Sequence, residues 1–233
     1  MSQQMTCKVE ISRQLADAVW EVRLQLPQPV AFKAGQYLMV VMGERDKRPF
    51  SIASCPSSDS EWLLHIGATP DNSYAMEVLD KIRAEGEVKV EAPDGIAFYR
   101  QDSDKPAVLI AGGTGFSYAY SILQQHLRAT PARPLTLYWG AKTQADLYLH
   151  DELERLASEH EQFDYHPVLE DAAGDWPYSI GLVHQAVMTR QQNLQDCEVY
   201  MAGRFEMVRV IRDDFVAQGV PLENLYGDAL SFI

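Results

Sequence analysis

The sequence is poor in several features that mark common protein classes. Cysteine is sparse: Cys7, Cys55 and Cys197 stand far apart in 233 residues, with no CxxC pair and no CxxxxC series. Iron–sulfur and zinc sites therefore lack ligands, a fused plant-type ferredoxin is excluded, and the odd, scattered thiol count suits a reducing compartment. Positive charge is also short. The formal net charge of −13 argues against nucleic acid or an anionic membrane as the main partner. Apolar runs such as "YLMVVM" are far too short to span a bilayer, and "MSQQMTCKVE" has no basic segment leading into an apolar one. Neither a GxxxxGK[ST] loop nor a GxSxG elbow occurs, which removes P-loop and serine-hydrolase readings. These absences lead us to expect a soluble cytoplasmic protein that binds no metal, with a monomer as the default state.

What is present falls into two textures. Hydrophobic content of 46% is enough for a substantial core. Over the first hundred residues the apolar period is mostly two. In "VWEVRLQL", Trp20, Val22, Leu24 and Leu26 fall on one face and Glu21, Arg23 and Gln25 on the other, and "EVKVEA" repeats the alternation. Apolar runs at 36–42, 50–54 and 62–66, separated by Gly, Pro, Ser or Asp, suit a small antiparallel β-barrel or sandwich. One helix is expected among them, with Tyr74, Val78 and Ile82 as its stripe and Gly86 as its stop. After about residue 104 the pattern becomes strand–helix alternation: "PAVLIAGG", a helix over 116–128, "PLTLYWG", a helical "DLYLHDELERLASEH", "FDYHPVL", "CEVYMAG", and a helix carrying Val208, Ile211 and Phe215. Such alternation demands a parallel sheet covered on both faces. Domains are expected at 1–100 and 104–233, divided at the polar "YRQDSDKP".

Two stretches carry candidate chemistry. "AGGTGF" (111–116) follows one expected strand and opens a helix, where backbone N–H groups can meet a phosphate and glycines let it approach. The usual dinucleotide fingerprint is incomplete, however. Tyr118 stands where the third glycine of GxGxxG would fall, and no acid closes the next strand at "YWGAK". In "RDKRPFSIAS" (45–54), a basic cluster runs into a proline, an aromatic and alternating small hydroxyl residues. Arg45, Asp46 and Lys47 read as a solvated loop.

"RPFS" at 48–51, "GGTGF" at 112–116 and "AGRFEM" at 202–207, in that order and with an aromatic in the terminal "SFI", resemble the ferredoxin–NADP reductase superfamily. Within it the chain is similar along essentially its full length to the bacterial NAD(P)H–flavin reductases. The resemblance implies a flavin-binding antiparallel β-barrel of Greek-key type, then a C-terminal α/β nucleotide-binding domain, with the flavin ring in the cleft between them. It implies that Arg48, Pro49, Phe50 and Ser51 line the flavin, Arg48 at the ribityl or phosphate end and Ser51 as the catalytic hydroxyl near N5. His65, Ile66 and Gly67 would flank the ring from a neighbouring strand, although His65 equally suits a plain strand position, and Phe232 would be the terminal aromatic. Gly112, Gly113, Thr114, Gly115 and Phe116 would hold NAD(P)H, with Gly203 and Arg204 beside the nicotinamide. Many relatives have cysteine where this chain has Ala202, so no thiol contact is available there.

The implied activity is hydride transfer from NAD(P)H to N5 of an exchangeable flavin: riboflavin, FMN or FAD. Such chemistry needs the two rings stacked at roughly 3–3.5 Å and no acid–base dyad. The stretch 65–80, "HIGATPDNSYAMEVLD", has no Lys or Arg to hold a pyrophosphate, which favours flavin as substrate over resident FAD. Lys142, just past "YWG", either faces a 2′-phosphate or is a solvated loop residue, and use of both NADH and NADPH is expected. Reduced flavin would serve acceptors such as ferric siderophores or other enzymes. An FAD-retaining electron-transfer component of a multicomponent oxygenase shares every motif. A non-catalytic nucleotide-binding module is a further alternative, disfavoured because two ring seats are kept.

Overall fold

A computed structural model describes residues 2–57, 60–69, 72–172 and 174–233. The chain divides into two compact units, Met1–Phe98 with Tyr120–Gln125, and Tyr99–Ala119 with His126–Ile233.

The first unit is one antiparallel sheet. Its strands are β1 (Gln3–Ala16), β2 (Val19–Gln25), β3 (Tyr37–Gly43), β4 (Asp46–Ser51), β5 (Glu61–Gly67) and, after helix α1 (Ser73–Glu85), β6 (Glu87–Asp94). The order is β4-β3-β6-β1-β2-β5, so the last strand returns to lie between the first and third, a Greek-key connection. Every neighbouring pair is antiparallel. With six strands, the two edge strands β4 and β5 must run in opposite directions. They also meet: the Ala53 N–H, just past β4, donates to the Leu63 carbonyl of β5 at 2.7 Å. The sheet thus closes on itself as a barrel around Leu24, Leu38, Ile52, Trp62 and Leu64, with Phe32 edge-on to Trp62.

Three details depart from the sequence pattern. Strand β1 was not singled out, although Met5, Cys7 and Val9 alternate with exposed residues along it as a half-buried strand should. Glu21, expected on the solvent face of β2, is buried. Burial works against its charge, but hydrogen bonds from Arg13 and Ser12 outweigh that and hold the carboxyl below the usual carboxylate range. In α1 the buried stripe is Ala75, Val78, Leu79 and Ile82, and Tyr74 is exposed. The helix starts where the Asn72 side chain accepts from the Ala75 N–H, and it stops at Gly86, whose φ of +65° is a left-handed conformation suited to glycine.

The second unit is a parallel sheet covered by helices. It comprises β7 (Ala107–Gly112), α2 (Phe116–Ala129), β8 (Leu135–Ala141), α3 (His150–Glu159), β9 (Phe163–Leu169), β10 (Ser179–Ile180), α4 (Val183–Arg190), β11 (Glu198–Ala202), α5 (Phe205–Ala217) and β12 (Leu225–Tyr226). The order β10-β9-β8-β7-β11-β12 makes the chain step outward from β7, then cross to its other side for β11. That reversal between β7 and β11 is a topological switch point, the place where open α/β sheets hold ligands at the carboxyl ends of strands. Helix α3 starts at His150, later than the apolar stripe suggested, because Thr143 and Asp146 form a capping box around a separate short turn at Gln144–Asp146. Val208, Ile211 and Phe215 of α5 are fully buried, as their spacing requires. No helix among the described residues is long and apolar enough to cross a membrane.

A buried polar network ties the first residues of this unit to the sheet. Arg133 pairs with Glu198 at 2.8 Å, Tyr200 donates to Glu198 at 2.6 Å, and Arg133 also donates to the Arg100 carbonyl at 2.9 Å. Because both charges are buried, removing one strands the other. Glu198→Ala is expected to destabilise the protein by roughly 3–5 kcal/mol. A denaturant midpoint that does not move would show that Arg133 finds another partner.

Candidate active site

Strand β4 sets the first group of residues. Its pairing with β3 places Arg48 opposite Val40 and Phe50 opposite Leu38, so Arg48 and Phe50 share the face of two core residues. Pro49 and Ser51 fall on the other face, opposite Met39 and Tyr37. The edge position of β4 tolerates proline, whose missing N–H would break a central ladder. Ser51 is partly exposed. His65, Ile66 and Gly67 lie opposite Glu21, Trp20 and Val19 of β2, and His65 and Ile66 are buried.

The backbone just beyond Ser51 is fixed by the middle of α2. Ser121 donates to the Ser54 carbonyl at 2.8 Å, Gln124 donates to the Ala53 carbonyl at 2.8 Å, and Tyr120 lies 6.0 Å from His65, ring to ring. The sequence reading missed these residues. Their signal was polar side chains at i and i+3 on a helix face that otherwise reads as core.

Arg48 is more deeply engaged than its motif suggested. The Nε and one terminal nitrogen form a fork onto Asp46 at 2.9 and 2.6 Å. The same terminal nitrogen reaches Glu77 at 2.7 Å, the other donates to the Tyr74 carbonyl, and the guanidinium lies over the Tyr74 ring. Asp46 is therefore part of a strand and an ion pair, and Lys47 is bridged to Glu91 at 2.8 Å. Only Arg45 of the three remains in the turn as expected. The stretch 65–80 includes residues 70 and 71, outside those described, and Arg48 is the cation that reaches its Tyr74 and Glu77.

Burial lowers the His65 pKa to about 4, and that of His126 likewise to about 4. Both imidazoles are thus neutral at pH 7. The unfolded chain protonates near 6.5. Stability should accordingly be intact above that pH, fall as pH drops from 6.5 to 4, and level off below, with each residue contributing up to roughly 3 kcal/mol. Urea midpoints between pH 7 and 4.5 check this. His65→Gln and His126→Gln should each flatten the slope, and unchanged slopes would contradict it.

The second group of residues converges at the switch point. Gly112 to Phe116 leave the carboxyl end of β7, and Ala202 to Arg204 leave that of β11. Each glycine has its own reason. Gly113 has φ +53°, in the left-handed region. A Cβ on Gly115 would lie 2.3 Å from the Ala202 carbonyl oxygen, and Cβ atoms on Gly112 and Gly203 would strike the Met207 side chain at 2.5 and 2.4 Å. The loop carbonyls are tied down, Gly113 by the Trp139 indole N–H at 3.0 Å and Thr114 by Ser117 at 3.0 Å. Phe116 is fully buried, stacked on Trp139 with centroids 3.8 Å apart, so its side chain is core. Tyr118, at the third position of the broken fingerprint, is also buried, and that burial raises its hydroxyl pKa. Arg204 is exposed at the start of α5. Phe232 is exposed and sits edge-on to Phe205, also exposed, at 6.0 Å, an aromatic partner the sequence reading did not name.

A closed antiparallel barrel followed by a parallel sheet with a glycine turn at its switch point defines a ferredoxin-reductase-like oxidoreductase fold. A family model described as "Oxidoreductase NAD-binding domain" matches residues 109–213. The chain shares that fold with a solved ferredoxin reductase of a carbazole 1,9a-dioxygenase, with a TM-score of 0.83 and 24% identity over 97% of this chain and 69% of that one. It is 43% identical to an NAD(P)H-flavin reductase of Vibrio harveyi over 97% of this chain and 98% of the relative. It is also 44% identical to one of Aliivibrio fischeri over 98% and 99%. The chain belongs to the NAD(P)H-flavin reductase family.

Proposed function

We propose that this protein is an NAD(P)H-dependent flavin reductase that transfers hydride from the nicotinamide to N5 of a flavin which it binds and releases as substrate. The observation that carries the reading is the meeting of Gly112–Phe116 and Ala202–Arg204 at the β7/β11 switch point in a chain that matches flavin reductases end to end. Residues 104–233 are assigned to NAD(P)H and residues 1–100 to flavin. Gly112, Gly113, Thr114 and Gly115 receive the dinucleotide through backbone N–H groups, Phe116 contributes backbone only, and Gly203 and Arg204 border the nicotinamide.

On the barrel, Pro49 and Ser51 present the outward face of β4 to the flavin, with Arg48 and Phe50 behind them. His65, Ile66 and Gly67 form the neighbouring edge, and Phe232, in the second unit, is assigned to the flavin as the terminal aromatic. The cofactors bring the redox chemistry: two electrons pass as hydride and the flavin takes its second proton from solvent. The protein's part is positioning, and the Ser51 hydroxyl, able to donate and accept, follows the change at N5. Exposed Lys142, one residue beyond β8, leaves room for a 2′-phosphate, so both NADH and NADPH serve. A cytoplasmic monomer without a metal, releasing reduced flavin to a downstream acceptor, completes the reading. Titrating riboflavin, FMN and FAD against NADH and NADPH, followed by loss of nicotinamide absorbance, tests it. Oxidation should require added flavin, and oxidation of neither nucleotide with any flavin would overturn the assignment.

A further inference from the structure

Gly113 is the least hindered residue of the glycine turn. It is exposed, its φ of +53° lies in the left-handed region, and no described atom comes within 4 Å of the position its Cβ would take. Its carbonyl, however, is held. It accepts the Phe116 backbone N–H and, at 3.0 Å, the Trp139 indole N–H. Trp139 lies on β8 level with Ala111 of β7 and is fully buried. Phe116 stacks on its ring with centroids 3.8 Å apart and planes 10° from parallel, and Tyr148 meets both rings edge-on, 5.0 Å from Trp139 and 5.7 Å from Phe116. Three mutually packed rings fix the direction in which the indole N–H points.

An indole N–H donates and cannot accept, so it distinguishes the two orientations of a peptide. In a trans peptide C=O and N–H point in opposite directions. A Gly113 carbonyl turned onto the indole therefore turns the Thr114 N–H away from it. The flipped peptide would set N–H against N–H and leave a buried donor unpaired. We propose that Trp139 is a positioning residue for the nicotinamide dinucleotide, holding the Gly113–Thr114 peptide in the one orientation that presents the Thr114 N–H to the dinucleotide phosphate. The inference rests on the reading of Gly112–Phe116 as the NAD(P)H turn and extends it to a core residue that acts through Gly113 rather than on the substrate.

The test compares the wild type with Trp139→Phe, which keeps a ring for Phe116 to stack on and removes the N–H. Two hydride donors are used: NADH, and reduced nicotinamide riboside, which has the same reacting ring and no phosphate. KM for NADH is expected to rise about tenfold. The kcat with NADH, the KM for riboflavin and kcat/KM for the riboside should each hold within about twofold, as loss of uniform dinucleotide binding requires. An unchanged KM for NADH overturns the proposal. So does a fall in kcat at constant KM, or an equal loss with both donors, which would make Trp139 a packing residue that disturbs the whole site. Should Trp139→Phe fail to fold, benzothienylalanine in its place, the same fused ring without the N–H, supplies the comparison. A wild type that oxidises NADH with no flavin at all offered to it sinks the NAD(P)H reading itself, whereas an active wild type matched by Trp139→Phe sinks only the positioning role.

Discussion

Ser51→Ala is expected to lower kcat by about 10- to 100-fold while leaving flavin affinity nearly unchanged. The residue ends β4, partly exposed and on the outward face, so its removal opens no core cavity and strands no buried partner on the β3 side, where it pairs with Tyr37. On the proposed assignment, what is lost is one hydroxyl beside the flavin atom whose charge and protonation change, a contribution larger in the transition state than in the bound ground state. Steady-state kcat and an independent flavin Kd separate the two effects. A fall in affinity that matches the fall in turnover would make Ser51 a binding residue, and unchanged turnover would remove it from the reaction.

Gly115→Ala should be the most damaging single methyl in the second unit. Gly115 has φ −56°, which any residue adopts, so the cost is purely steric. The added carbon would lie 2.3 Å from the Ala202 carbonyl oxygen, 2.5 Å from its carbon and 2.8 Å from the Gly203 nitrogen, all backbone atoms at the end of β11. The turn or the strand end must move by about 1 Å, and displacement of that size at a reacting geometry can cost on the order of 100-fold in rate. Strain from overpacking adds about 1–3 kcal/mol of instability. Gly112→Ala is the contrast, because its added carbon meets only the flexible Met207 side chain at 2.5 Å. It should cost several times less and be relieved by Met207→Ala, whereas Met207→Ala should leave Gly115→Ala unrescued. Measuring kcat/KM for NADH in the four variants settles it, and equal losses at the two glycines would contradict the packing account.

Much of this architecture was legible beforehand because it follows periodicity. Alternation wrote β2 and β6, short apolar runs wrote β7, β8, β9 and β11, and the 3.6-residue stripe wrote α5. The placement of the glycine turn was readable because a glycine cluster closes an apolar run and opens a helical stripe. Long-range partnerships were not readable. Nothing adjacent in sequence pairs Arg48 with Glu77 of α1, so Asp46 and Lys47 looked like loop decoration when they are strand residues in ion pairs. Likewise the reach of Ser121 and Gln124 to the backbone after β4 spans some seventy residues. Glu21 reads as solvent-facing because polar residues on an alternating strand are usually exposed. A buried carboxylate with Ser12 and Arg13 as partners obeys the same physics in the opposite place. Short elements such as β10 and β12 are two residues long and are made by neighbours, with too few residues to carry a period of their own.

The account turns on flavin being a substrate that comes and goes, and the flavin-to-protein ratio after gel filtration tests that most directly. The expected result is a nearly colourless chain, a ratio near zero, and NAD(P)H oxidation that appears only when flavin is returned. A yellow chain holding one FAD per protein, whose NAD(P)H oxidation is indifferent to added flavin, would contradict it.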